Sequence, residues 1–197
     1  MEIILSTLIS VPTGMLTSFL FWWWFSRRLA PRIAWSDLMV APADADLTGT
    51  DFDMPRVKIV NVGRRNAIDL QVWAQLRLPH EVDGAGSPMS LVELPTSITW
   101  LPRLQRDGYR YVRLCLGKVP PEELERVGLD PSVELPTLLR EHEDAAVRVF
   151  LFAYDGFSGA RKIFVSPDYC ADTLITGAFE PGTALNAHPA PAPPAAD

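Results

Sequence analysis

A chain of 197 residues, 48% of them hydrophobic, holds one ordinary domain plus an anchor and a tail, and is too apolar for a disordered protein. Its formal net charge of −6, spread without a long basic block, excludes the footprint of a duplex nucleic-acid binder, and no zinc-finger or RNA-binding signature is present. Two cysteines, Cys115 and Cys170, lie far apart and outside any CxxC pair, so they read as buried thiols rather than a disulfide framework.

From Ile3 to Phe25 the sequence IILSTLISVPTGMLTSFLFWWWF has no charged side chain. As a helix it extends about 34 Å, enough to cross a bilayer core. A cleaved signal peptide carries a basic leading region and a small-residue cleavage site, whereas this stretch opens Met1-Glu2 and runs into Arg27-Arg28. The expectation is a transmembrane anchor and basic flank over residues 1–28, kinked near Pro12. No Lys or Arg precedes the span, while Arg27, Arg28 and Arg32 follow it. The positive-inside rule then places the N-terminus outside and the remaining chain in the cytoplasm, a single-pass arrangement in the cell membrane. Trp22, Trp23 and Trp24 fall at the inner interface, with indole rings in the acyl region and N–H groups near headgroups. Ser6, Ser10, Gly14 and Ser18 recur every four residues, a stripe suited to self-association or to a partner's helix.

Ala30-Pro31 ends the helix, and the pattern changes to short strands divided by turn residues. The segment AIDLQVWAQLRL alternates Ile68, Leu70, Val72, Ala74, Leu76 and Leu78 with Asp69, Gln71, Trp73, Gln75 and Arg77, which predicts one buried and one wetter face. PRVKIVNV before it predicts another strand, with GRRN as a hairpin turn. TSITWL, YRYVRLCL, AVRVFLFAY and ARKIFVS predict further strands, the last two joined by a DGFSG hairpin. Helix is confined to PPEELERVG and LPTLLREHEDA, each with proline near its start. Strand density without βαβ alternation predicts an all-β fold, a two-sheet antiparallel sandwich over residues 33–179 behind one N-terminal helix. The Pro/Ala-rich tail 180–197 is expected to be disordered.

The segment from Ala146 to Phe179 resembles the end of the cytoplasmic immunoglobulin-like (E-set) domain of inward-rectifier potassium channels. The matching features are the strand VRVFLFAYD, a turn with Ser158-Gly159, a second strand, then Tyr169, Gly177 and Phe179. VKIVNVGRRNAIDLQVWAQLRL is similar in style to the early hairpin of that domain. The resemblance covers about a third of the chain and implies an immunoglobulin-like sandwich just inside a membrane. It does not imply conduction, because there is no TVGYG-like filter, no pore helix and one span where those channels have two.

Convergent chemistry is sparse. His80, His142 and His188 have no second histidine at ligand spacing, and Glu141-His142-Glu143-Asp144 reads as a solvated helix end. GxSxG, HExxH and phosphate-cradling glycine loops are missing from the sequence. No catalytic, cofactor or metal residue is assigned. Arg103, Arg106, Arg110 and Arg113 gather around a predicted edge, with two placements open, near Arg64 and Arg65 or facing the membrane. Arg103 and Arg106 are the candidates for an anion patch, against the alternative of solubilising residues that alternate with Val112, Leu114 and Leu116. The expected function is a non-enzymatic membrane-anchored binding module, a scaffold or accessory subunit, whose partners are the lipid bilayer and a membrane protein or second copy. The alternative is a sensor that binds a small anion or lipid headgroup.

Overall fold

The computed structural model describes residues 2–29, 31–42, 54–79, 89–157 and 159–190, with the side chains of the first helix described over 12–25. That helix, α1 (Glu2–Leu29), contains Pro12. Among the described residues no helix is long and apolar enough to cross a membrane. The described side chains of α1 cover only about 21 Å of its axis, whereas its backbone extends about 42 Å.

The remainder is mostly β, in two sheets. The first contains β1 (Ile33–Trp35), β2 (Met39–Ala41), β3 (Arg56–Asn61), β7 (Tyr109–Arg113), β10 (Leu174–Phe179) and β11 (Ala187–Pro189). Central β3 has β7 on one side and β1 and β2 in succession on the other; β2 pairs in parallel with β10, and β10 antiparallel with β11. The second sheet has β4 (Ala67–Pro79) at its centre, flanked on one edge by β5 (Met89–Leu94) and β6 (Trp100–Leu104) and on the other by β8 (Ala146–Asp155), with β9 (Arg161–Val165) beyond. Two short helices, α2 (Pro121–Arg126) and α3 (Leu135–Glu141), begin at prolines that sacrifice no helical hydrogen bond there. Val57, Ile59 and Val112 of the first sheet share one buried cluster with Leu70, Val72, Val149 and Leu151 of the second, completed by Leu138 and Leu139 of α3. The expected β-sandwich is present at this level.

Three expectations need correction. GRRN does not close a hairpin: β3 and β4 belong to different sheets, so this loop is a crossover at one end of the sandwich. The physical reason is that β3 already has neighbours on both sides and is buried on both faces. The alternation of β4 breaks at its start. Asp69 has φ 49° and the β4–β8 register shifts between Ile68 and Gln71, a bulge that buries Ala67 and turns Ile68 partly outward. The tail is not irregular from Glu180 onward, because residues 187–189 form β11; Gly177 permits the close approach, since a Cβ there would collide with the carbonyl of His188. Residues 191–197 lie outside the described residues.

Lys58 fastens this last segment. Its ammonium is buried on the outer side of the first sheet, donates to the carbonyls of Glu180 (2.7 Å) and Ala184 (2.6 Å), and lies 4.8 Å from the ring centroid of Tyr109 and 5.9 Å from that of Phe179. Burial holds its pKa below the usual lysine value, partly offset by Glu180. Tyr169 ties the two sheets together, donating from its buried hydroxyl to the carbonyl of Ser36 (2.7 Å) while its backbone bridges Val147. Loss of hydration raises its pKa well above the ordinary tyrosine value.

Candidate functional site: an arginine-lined cavity

Three loops meet at the end of the sandwich where the chain arrives from α1. They are the β3–β4 crossover (62–66), the β6–β7 turn (105–108) and the β8–β9 turn, which includes Gly156 and Phe157. Asn61, fully buried at the end of β3, organises the first two. Its side-chain Nδ2 donates to the carbonyls of Arg65 (2.8 Å), Leu104 (3.1 Å) and Gln105 (3.1 Å), and its Oδ1 accepts from Gly63 N (3.0 Å). Asn61 N also donates to the carbonyl of Gly108, and Asp107 N donates to the carbonyl of Asn61. Asn66 links all three loops: its Oδ1 accepts from Arg106 N (3.0 Å) and its carbonyl accepts from Gly156 N (3.2 Å). Asp107 adopts the left-handed conformation that closes the turn, φ 56°, which aspartate tolerates better than most residues.

Between these loops lies a cavity of about 380 Å³ lined by Arg64, Arg65, Asn66, Ile68, Arg103, Arg106, Gly156 and Phe157. Ile68 forms part of the wall because the bulge at Asp69 turns it out of the core. Phe157 is 72% exposed and carries the guanidinium of Arg65 over its ring at 4.5 Å, a cation–π contact that orients the cation. Two carboxylates stand nearby. Arg65 lies 3.9 Å from the buried carboxylate of Asp155, and Arg106 donates to Asp107 at 3.1 Å. Among the described residues Arg64 and Arg103 form no ion pair with a carboxylate. Four cations against two anions leave an excess of positive charge around a concave space, with planar donors suited to bidentate contacts with phosphate or carboxylate.

The chain enters beside this cavity. The carbonyl of Arg32 accepts from Val62 N at 3.0 Å, and a Cβ on Gly63 would lie 3.1 Å from Arg32 N. Only two residues lie between Leu29, the end of α1, and Arg32, a reach of no more than about 11 Å. The arginine loop therefore lies close to the C-terminal end of α1.

No protein-family model matches the chain, and no curated protein matches it significantly. Function then rests on the chemistry of the site itself.

The other sequence-derived candidates are distributed as follows. Arg103 and Arg106 enter the cavity with Arg64 and Arg65, but Arg110 and Arg113 do not, because β7 belongs to the opposite sheet. Trp22, Trp23 and Trp24 are exposed along α1, with Trp22 near Phe19 (6.4 Å) and Trp24 near Phe21 (6.3 Å). The side chains of Ser6, Ser10, Arg27 and Arg28 lie outside the described residues, as does His80. Gly14 faces open space and Ser18 is exposed, while Arg32 is exposed at the base of β1. His142 follows α3, and His188 contacts Glu180 (2.6 Å). Cys115 is buried with its sulfur 2.9 Å from that of Met54, and Cys170 precedes a short 3-10 turn. Among the described residues no group of three His, Cys, Asp or Glu side chains converges as a metal site. Sequence reasoning missed Asn61, Asn66 and Phe157. The available signals were two asparagines bracketing a Gly-Arg-Arg turn and a phenylalanine at the tip of a hairpin, where an apolar residue has no core to enter.

Proposed function

We propose that the chain is a single-pass membrane-anchored, non-enzymatic binding module whose sandwich lies in the cytoplasm and takes a phosphate-type anion in the arginine-lined cavity. The observation that carries this reading is the convergence of Arg64, Arg65, Arg103 and Arg106 on one preorganised cavity beside the entry of α1. A cavity of about 380 Å³ lies within the range of small-ligand sites. Asn61 and Asn66 hold the backbones of Arg65 and Arg106 by hydrogen bonds, so the loops that present these two guanidiniums require less ordering on binding. The anchor is supported by the uncharged stretch from Ile3 to Phe25, and the orientation by Arg27, Arg28 and Arg32 after it. The resemblance to inward-rectifier cytoplasmic domains is retained as a proposal about fold, supported by the β8–β9 hairpin and the close β10–β11 approach at Gly177.

Titration calorimetry of the full chain in detergent with pyrophosphate tests this reading. The expected result is saturable one-to-one binding, weakened at least about tenfold by Arg64→Ala with Arg103→Ala, since each charge-assisted contact contributes about 1.5–3 kcal/mol. Equal binding by wild type and double variant would sink the assignment. A scaffold with no anion ligand is the second reading, favoured by the exposed aromatic surface of α1.

A further inference from the structure

The arginine cavity is not the whole of this end of the sandwich. Phe157 is 72% exposed at the tip of the β8–β9 turn, and Val62 is 53% exposed on the β3–β4 crossover that also carries Arg64 and Arg65. Val62 N–H bonds to the carbonyl of Arg32 where the chain joins the sandwich, and Phe157 lines the arginine cavity beside it. Apolar side chains at loop tips, ringed by arginines and held close to the end of a helix read as a membrane anchor, match a leaflet: phosphates for the guanidiniums and an acyl boundary for the rings. Arg65 stacked on Phe157 keeps the charge at the level where the ring would enter.

Building on the anion-binding reading of the same cavity, we propose that this end of the sandwich is a docking tip for an anionic leaflet, in which Arg64, Arg65, Arg103 and Arg106 contact lipid phosphates while Phe157 and Val62 insert between headgroups. The occupant is the lipid surface to which α1 already tethers the chain. Charge complementarity selects it over a neutral protein face. Tethering supplies effective concentration, so a contact too weak to recruit a free domain is still populated. Docking fixes the sandwich against the bilayer.

The test uses the full chain in lipid nanodiscs, carrying Phe157→Cys in a Cys170→Ser background and an environment-sensitive fluorophore at position 157. The expected result is a blue-shifted emission, quenched by nitroxide-labelled lipid, in discs containing phosphatidylserine but not in phosphatidylcholine discs. Adding Arg64→Glu or Arg103→Glu should lower the docked-to-undocked ratio by about fivefold or more per site. A probe that stays in water in both kinds of disc overturns the docking inference. Pyrophosphate binding to the same preparation separates the two readings: binding retained with no lipid-dependent shift leaves a site for a soluble anion, whereas loss of both removes the anion site as well.

Discussion

Replacing Asn61 with leucine keeps the branched shape of the buried side chain in a somewhat larger volume and removes its side-chain hydrogen bonds, while the backbone bonds with Gly108 and Asp107 remain. The variant leaves Gly63 N–H without its Oδ1 acceptor and strips the Nδ2 donor from the carbonyls of Arg65, Leu104 and Gln105. An amide Nδ2 has two protons, so three donations count as about two full bonds, and with the Gly63 contact about three are lost. At about 1 kcal/mol net for each, the expected destabilisation is about 3 kcal/mol. For a domain of this size that corresponds to a fall in Tm of about 6–12 °C. Differential scanning calorimetry reads the shift. Because the carbonyl of Arg65 loses its tether to the β6–β7 turn, pyrophosphate affinity should fall as well, although no arginine is altered. A Tm within about 2 °C of wild type would refute the account of how the loops are held together.

Three further outcomes are expected. Lys58→Met should release residues 180–190: hydrogen exchange of Ala190 N–H, bonded to the carbonyl of Thr176, should accelerate about 30-fold or more, while Val149 N–H in the core changes far less, and equal acceleration at both would contradict the fastening role. Asp168 has its pKa lowered, first by the hydrogen bonds from Arg148 and further by the nearby charges. Its contribution to stability is therefore present above the unfolded value of about 3.9 and is lost as pH falls through the lower folded value. Asp168→Asn should flatten the acid limb of a Tm-against-pH curve below about pH 4, and an unchanged limb would place the acid sensitivity elsewhere. In intact cells a membrane-impermeant thiol reagent should fail to label Asp197→Cys and should label it after permeabilisation; labelling without permeabilisation would reverse the topology.

The second sheet was legible in β4 from Leu70 onward and in β8, where sustained alternation buries one row of side chains, whereas β5 was not among the predicted strands. Its bulge was hidden, since Ile68 continues the apolar pattern and only the left-handed backbone of Asp69 breaks it. The first sheet was less legible. β1 and β2 have three residues each, too few for a period, and β10 pairs with β2, more than 100 residues away in the chain. The burial of Lys58 has no local sequence signal, because Phe179 and the carbonyls of Glu180 and Ala184 arrive from the far end of the chain to cover it. The arginines show the same division. Spacing alone brought Arg103 and Arg106 into view as a pair, but the crossover that adds Arg64 and Arg65, and the sheet change that removes Arg110 and Arg113, are properties of topology.

That topology also gives the sandwich two well-separated ends. β4 runs from Ala67, opposite Leu104 at the arginine end, to Pro79, opposite Met89, a span of about 40 Å. The most direct test of a tethered sandwich with its arginine end toward the bilayer is energy transfer, in nanodiscs, from a donor on Gln105→Cys or on Met89→Cys to acceptor-labelled headgroups. The arrangement predicts strong transfer from position 105 and weak transfer from position 89. Equal transfer from both, or stronger transfer from 89, would contradict it.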